Sequence, residues 1–147
     1  MNYYWTSEKR CAYYALKELV LKLPDRPDAA ATTPEYGTTI FRWEVPGSHD
    51  PIRYSFQKPV YKGTKNHWRP LGKVPSGTEE WAHCHTHPND GFFSKDDTEW
   101  ALGNTGFLKI PFVIYMVNRK GAYWFDGRSG FQSKNQRYGL FWGAYPS

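Results

Sequence analysis

The sequence predicts an α/β fold, a single domain in which a mixed β-sheet is flanked by helices. Three observations carry this. Residues 7–23 hold an apolar stripe with helical spacing, residues 38–45 alternate as a strand does, and residues 110–117 are almost continuously apolar and β-rich. A chain of 147 residues suffices for one domain and is short for two. Such a domain buries a core without disulfide help.

The first element is the clearest. Ala12, Ala15, Leu16, Leu19, Val20 and Leu23 follow the i, i+3, i+4, i+7 rhythm of an amphipathic helix over 7–23. Cys11 falls one position off that stripe. Thr6 or Ser7 suits the N-cap, Glu8 suits the positive helix start, and Pro24 ends the helix. Residues 24–34 read as a loop. In 38–45, Thr39, Phe41, Trp43 and Val45 share one face, and Ile40, Arg42 and Glu44 the other. A turn over 46–51 leads to 52–57, the expected antiparallel partner. Residues 58–78 are rich in Lys, Pro and Gly and suggest a long, partly irregular loop over the site. Residues 79–87 form the next strand, and Ser94 opens a helix over 95–103. The apolar run 110–117 reads as a strand buried on both faces. Asn118-Arg119-Lys120-Gly121 turns it into a last strand at 122–125. The Gly-rich, aromatic tail from Asp126 has no assignment.

Composition narrows the function classes. Seven Trp and eleven Tyr place the chain outside the disordered class, despite a mean hydropathy of −0.74. The net charge of +5 would attract nucleic acid, anionic lipid or an acidic partner. The basic residues are dispersed rather than blocked, however, which makes nucleic acid the lesser reading. Cys11 and Cys84 are isolated in sequence and do not form a disulfide framework. No basic segment followed by an apolar stretch opens the chain, so no signal peptide is read. No apolar run reaches the ~20 residues that span a bilayer. The expectation is synthesis in the cytoplasm, with any export through a signal-peptide-independent system.

The chemistry concentrates in His83-Cys84-His85-Thr86-His87-Pro88 and in Phe93-Ser94-Lys95-Asp96-Asp97. Alternate side chains of a strand share a face, so His85 and His87 aim two imidazoles at one point. Cys84, between them, then points into the core. Two imidazoles and a carboxylate are a common catalytic Zn²⁺ set that leaves the fourth position for water. Asp97, in the first turn of the second helix, supplies the carboxylate, and Asp96 is the fallback. Ser94 sits at the N-cap. His83 shares the face of the pair and reads as a structural or supporting histidine. His49 and His67 are isolated. Phe92 and Phe93 are expected to pack under the loop whose rim is Asn89, Asp90 and Gly91. Upstream, Glu35 precedes the 38–45 strand within Pro34-Glu35-Tyr36-Gly37.

A Glu at a strand mouth, then His-x-His-Pro, then Ser-x-x-Asp, resembles the JAMM (MPN+) metalloprotease superfamily at Glu35, His85, His87, Pro88, Ser94 and Asp97. The likeness extends to the JAMM-like domains of bacterial polymorphic toxins and Rhs-type proteins, and runs from about residue 7 to about residue 127. Six residues separate His87 from Ser94, where the family pattern has seven. The shortening falls in a Pro-Asn-Asp-Gly loop, where length changes are tolerated best.

The resemblance implies a JAMM-like (cytidine-deaminase-like) sandwich, with 1–147 as one metallohydrolase domain. It implies Zn²⁺ held by His85, His87 and Asp97, with Glu35 as general base and Ser94 aiding the oxyanion. It further implies a peptidase or amidase acting on an amide or isopeptide bond of a peptide or protein. A toxin or effector setting would add a cognate immunity protein as a partner. Two other readings stay open: an effector hydrolysing nucleic acid at the metal site, and a JAMM-like binding module without activity.

Overall fold

A computed structural model of the chain describes residues 3–24, 33–61, 74–89, 91–103 and 111–129. His67, Asp90, Ile110, residues 62–73 of the expected loop and the tail from residue 130 lie outside the described residues.

The first helix, α1, runs Glu8–Leu19, with a 3-10 turn at Val20–Lys22. Ser7 caps it by accepting the Arg10 amide at 3.3 Å. Its buried face is Cys11, Ala12, Ala15, Leu16 and Leu19. Cys11 is therefore fully buried rather than off the stripe. Positions 11, 15 and 19 form one i+4 row beside the row of 12 and 16, and α1 presses both rows onto the sheet.

The strands are β1 (Tyr36–Glu44), β2 (Ile52–Phe56), β3 (Val60–Tyr61), β4 (Glu79–Thr86), β5 (Val113–Asn118) and β6 (Gly121–Asp126). They form one sheet in the order β2-β1-β4-β5-β6, with the short β3 paired to the start of β1. The β4–β5 pairing is parallel and the others are antiparallel, so the sheet is mixed. The second helix, α2 (Lys95–Ala101), follows β4 and supplies the crossover that parallel strands require. It ends at Ala101 with Leu102 as its C-cap, after which Gly103 takes φ +82°. β5 begins at Val113, later than the apolar run suggests. Pro111 has no N–H for a ladder, and the Phe112 amide is given to Ala101 O at 2.9 Å.

The two helices cover opposite faces. On one face α1 packs on Ile40, Ala82, Cys84, Val113, Tyr115, Val117 and Ala122. On the other, Ala101 of α2 packs with Ile114 and Phe125, bordered by Phe93, Trp100, Leu102 and Phe112. This is a mixed α/β domain, as the sequence predicts at that level. No described helix is long and apolar enough to cross a membrane.

One irregularity shapes the ligand strand. Ile40 pairs with Ala82 but Phe41 pairs with Glu80, which leaves Trp81 as a bulge in β4. Trp81 turns to the α1 side, where the guanidiniums of Arg42 and Arg128 stand 4.0 and 4.2 Å from its ring centroid. Glu80 is turned towards His83, with Oε1 3.7 Å from Nε2.

Candidate metal centre

β4 places its residues by alternation. Ala82 and Cys84 enter the α1 core, while His83 and His85 face the α2 side. The strand ends at Thr86, so His87 lies just beyond it rather than within it. Its amide still bonds Val117 O at 3.0 Å, which extends the parallel ladder by one step and holds the i, i+2 relation. The two imidazoles meet, with His85 Nε2 and His87 Nε2 2.9 Å apart.

Asp97 reaches both rings from the start of α2. Its Oδ1 is 3.5 Å from His85 Nε2 and its Oδ2 is 3.2 Å from His87 Nε2. The backbone is fixed by a reciprocal capping box. Ser94 Oγ accepts the Asp97 amide at 3.1 Å and Asp97 Oδ2 accepts the Ser94 amide at 2.9 Å. The shorter His87–Ser94 loop therefore still delivers Asp97 to the imidazoles. Asp96 is exposed and makes no such approach.

Glu35 arrives from a distant part of the chain. It immediately precedes β1, whose first amide, that of Tyr36, is accepted by the buried Thr86 hydroxyl at 3.0 Å. That bond ties the mouth of β1 to the segment between the two histidines. Gly37 stands opposite His85 in the ladder. Glu35, His85 and His87 each offer an atom within 4.8 Å of the others. Four of the residues singled out by sequence, Glu35, His85, His87 and Asp97, thus converge, and Ser94 sits beside them as the cap.

Imidazole and carboxylate donors placed this closely could hold a metal ion such as zinc. Ligands at ~2.0–2.2 Å in tetrahedral arrangement stand about 3.3–3.6 Å from one another. Here the two Nε2 atoms are 2.9 Å apart, His87 Nε2 is 3.2 Å from Asp97 Oδ2 and His85 Nε2 is 3.5 Å from Asp97 Oδ1, so the donors stand at or slightly inside that spacing. Neutral imidazole and carboxylate are also chemically suited to that ion.

The electrostatics follow from the same contacts. Burial opposes the Asp97 charge, but the His85 and His87 rings outweigh it and hold the carboxyl well below its usual range. Burial likewise disfavours protonated His85, yet Asp97, its hydrogen bond and then Glu35 raise its pKa above the ordinary value. His83 is different. It is buried, lies 4.8 Å from the Trp100 ring and 4.6 Å from Phe112, and meets Thr39 Oγ1 through Nδ1 at 3.3 Å. Burial, and then the charge of His85, push it down to about 3. It is a neutral packing residue beside the site.

The supports of the two imidazoles differ. His87 Nδ1 lies 3.1 Å from Gly91 O, a pure acceptor, so the ring donates there. Asn118 Nδ2 donates to the same carbonyl at 3.1 Å. His85 Nδ1 is buried with no partner among the described residues. The sequence places Gly91 on the rim and Asn118 in a turn. Their support of His87 has no local signature, since it depends on β4 and β5 ending side by side.

Of the loop aromatics, Phe93 packs as expected against the α2 cluster. Phe92 stays 41% exposed, edge-on to Tyr123 at 5.2 Å. His49 is exposed. Cys11 and Cys84 are both free and buried, remote in role from the imidazoles.

Comparison with protein-family models, curated proteins and solved structures gives no match for this chain.

Proposed function

We propose that the chain is a zinc-dependent hydrolase of the metallopeptidase or amidase type. The observation that carries the reading is the meeting of His85, His87 and Asp97 at 2.9–3.5 Å, with the Glu35 carboxylate alongside. The residues support metal-assisted hydrolysis. The JAMM resemblance at Glu35, His85, His87, Pro88, Ser94 and Asp97 supplies the bond class, an amide or isopeptide bond in a peptide or protein. The likeness to toxin domains extends the proposal to an effector role with a cognate immunity protein.

His85, His87 and Asp97 would hold the ion. When bound, zinc acidifies a water to a pKa of ~7 and polarises a substrate carbonyl. Glu35 accepts the proton from the attacking water and returns it to the leaving nitrogen as the C–N bond breaks. Ser94 uses Oγ as an acceptor in the cap. Its hydroxyl proton is therefore still available to donate to a developing oxyanion.

The test measures zinc content and hydrolysis of labelled peptides together, with nucleic acid as a parallel substrate. Wild-type protein should carry about one Zn²⁺ per chain. Glu35→Gln should keep the metal and lose roughly 10²–10⁴ in rate, the usual contribution of acid–base catalysis. Asp97→Asn should instead weaken metal binding, because a neutral amide is a poor zinc ligand. Loss of zinc from Glu35→Gln would make Glu35 a ligand. Cleavage of nucleic acid but not peptide would replace the bond class.

A further inference from the structure

The chain His87–Gly91–Asn118 links a proposed ligand to a residue of another element. Asn118 is the last residue of β5 and is buried to 2% exposure. Its Oδ1 accepts the amides of Lys120 and Gly121 at 2.8 and 3.1 Å, which closes the β5–β6 turn. Its Nδ2 then has a fixed direction and donates to Gly91 O at 3.1 Å. A single carbonyl with two lone pairs thus receives both Asn118 and His87 Nδ1. The Gly91 amide in turn donates to Asn89 Oδ1 at 3.0 Å, and a side chain at Gly91 would come within 2.8 Å of that oxygen. The main chain at Gly91 is held from both sides.

We infer that Asn118 is a positioning residue for His87, anchoring the Gly91 carbonyl so that the His87 proton sits on Nδ1 and Nε2 is left to bind metal. The need for it follows from the loop. Gly91 lies in the connection between His87 and Ser94, which without an outside anchor would be free to drift from the imidazole. The β5–β6 turn adjoins this segment, because His87 N already bonds Val117 O, the carbonyl next to Asn118. For His85 no Nδ1 partner lies among the described residues. Among those residues His87 is thus the imidazole with a preorganising support. The inference rests on the zinc reading for its consequence but not for its geometry.

Asn118→Asp separates the two roles of this residue. The carboxylate keeps an oxygen for the Lys120 and Gly121 amides and removes the donor to Gly91. Two readouts apply: the His87 tautomer, from ring ¹⁵N shifts in the metal-free protein, and Zn²⁺ affinity by chelator competition. Wild type should show the Nδ1–H form of His87. The variant should keep its folded spectrum, show a mixture of tautomers, and bind Zn²⁺ about 10–100-fold more weakly, the usual effect of losing such a support. Wild-type His87 protonated only on Nε2 overturns the inference, and it does so even where the variant fails to fold. Unchanged affinity and tautomer in a folded variant also overturns it. Wild type that binds no Zn²⁺ defeats the zinc reading instead, while the tautomer still decides the role of Asn118.

Discussion

The α1 face of the sheet and the α2 face draw on the same strands and meet different demands. On the α1 face, Cys11, Ala12, Ala15, Leu16 and Leu19 close over Ile40, Ala82, Cys84, Val113 and Val117. The two buried threonines there serve the backbone: Thr38 donates to Gln57 O and Thr86 accepts from Tyr36 N. On the α2 face the same β4 presents His83 and His85, and His87 follows. Each of these meets a partner from outside β4: Thr39 for His83, which also faces Glu80 of its own strand, Asp97 for His85, and Asp97 and Gly91 for His87. Apolar packing asks for volume, whereas a buried polar group asks for a partner in a particular direction. One face is thus a stabilising core and the other a polar site hung upon it.

The largest expected effects test that division directly. Leu16→Ala or Leu19→Ala should cost ~2–5 kcal/mol, the range for a buried Leu, with Zn²⁺ stoichiometry intact in the folded fraction. His85→Ala or His87→Ala should do the reverse, abolishing tight Zn²⁺ loading with a smaller shift of the denaturation midpoint. Elemental analysis and chemical denaturation on the four variants decide. Zinc retained in both histidine variants would remove the metal centre, and an unmoved midpoint in the leucine variants would remove α1 from the core.

A smaller effect probes a charged feature of the α1 face. Tyr115, fully buried in β5, donates to Glu8 Oε2 at 2.5 Å, and Arg128 Nη1 lies 3.0 Å from Glu8 Oε1. Burial, and then Glu8, raise the Tyr115 pKa well above its ordinary value. Tyr115→Phe should cost ~1.5–3 kcal/mol, as for a hydrogen bond to a charged group. A neutral result in denaturation would mean that Glu8 exchanges this partner for water without loss.

The smallest effect is a slope. Folded His83 is pushed down to about 3, while an unfolded His binds a proton near 6.5. Between those values the unfolded chain takes up the proton and the folded chain does not. Stability conferred by neutral His83 is therefore lost as pH falls, by up to roughly 1.4 kcal/mol per pH unit. His83→Phe removes the group from its place between Trp100 and Phe112. The difference in unfolding free energy should move in favour of the variant as pH drops from about 6.5 towards 3. A pH-independent difference would show that His83 is not the buried neutral residue described.

Much of this was legible in the chain because it depends on local periodicity. The α1 stripe, the alternation of β1 and the β1–β2 hairpin follow from spacings of 3.6 and 2, which any segment carries alone. The same rule put Cys84 in the core and the histidines on the opposite face. Ser94 followed by Asp97 announced a cap. Cys11 was misplaced because the width of the buried stripe depends on how a helix lies on its sheet, not on the helix itself.

The sequence by itself determined an α/β domain with two imidazoles and a carboxylate in reach of each other, since each of those features rests on local spacing. Tertiary structure decided the rest. The bulge at Trp81 turned Glu80 towards His83. The β1–β4 ladder and the Thr86–Tyr36 bond brought Glu35 to histidines fifty residues away. The parallel β4–β5 pairing set Asn118 beside Gly91 and so gave His87 its support. The physical reason is that a strand's sequence fixes which side chains share a face. Its neighbours and its register are fixed only when the sheet closes and every strand's hydrogen bonds are shared with another.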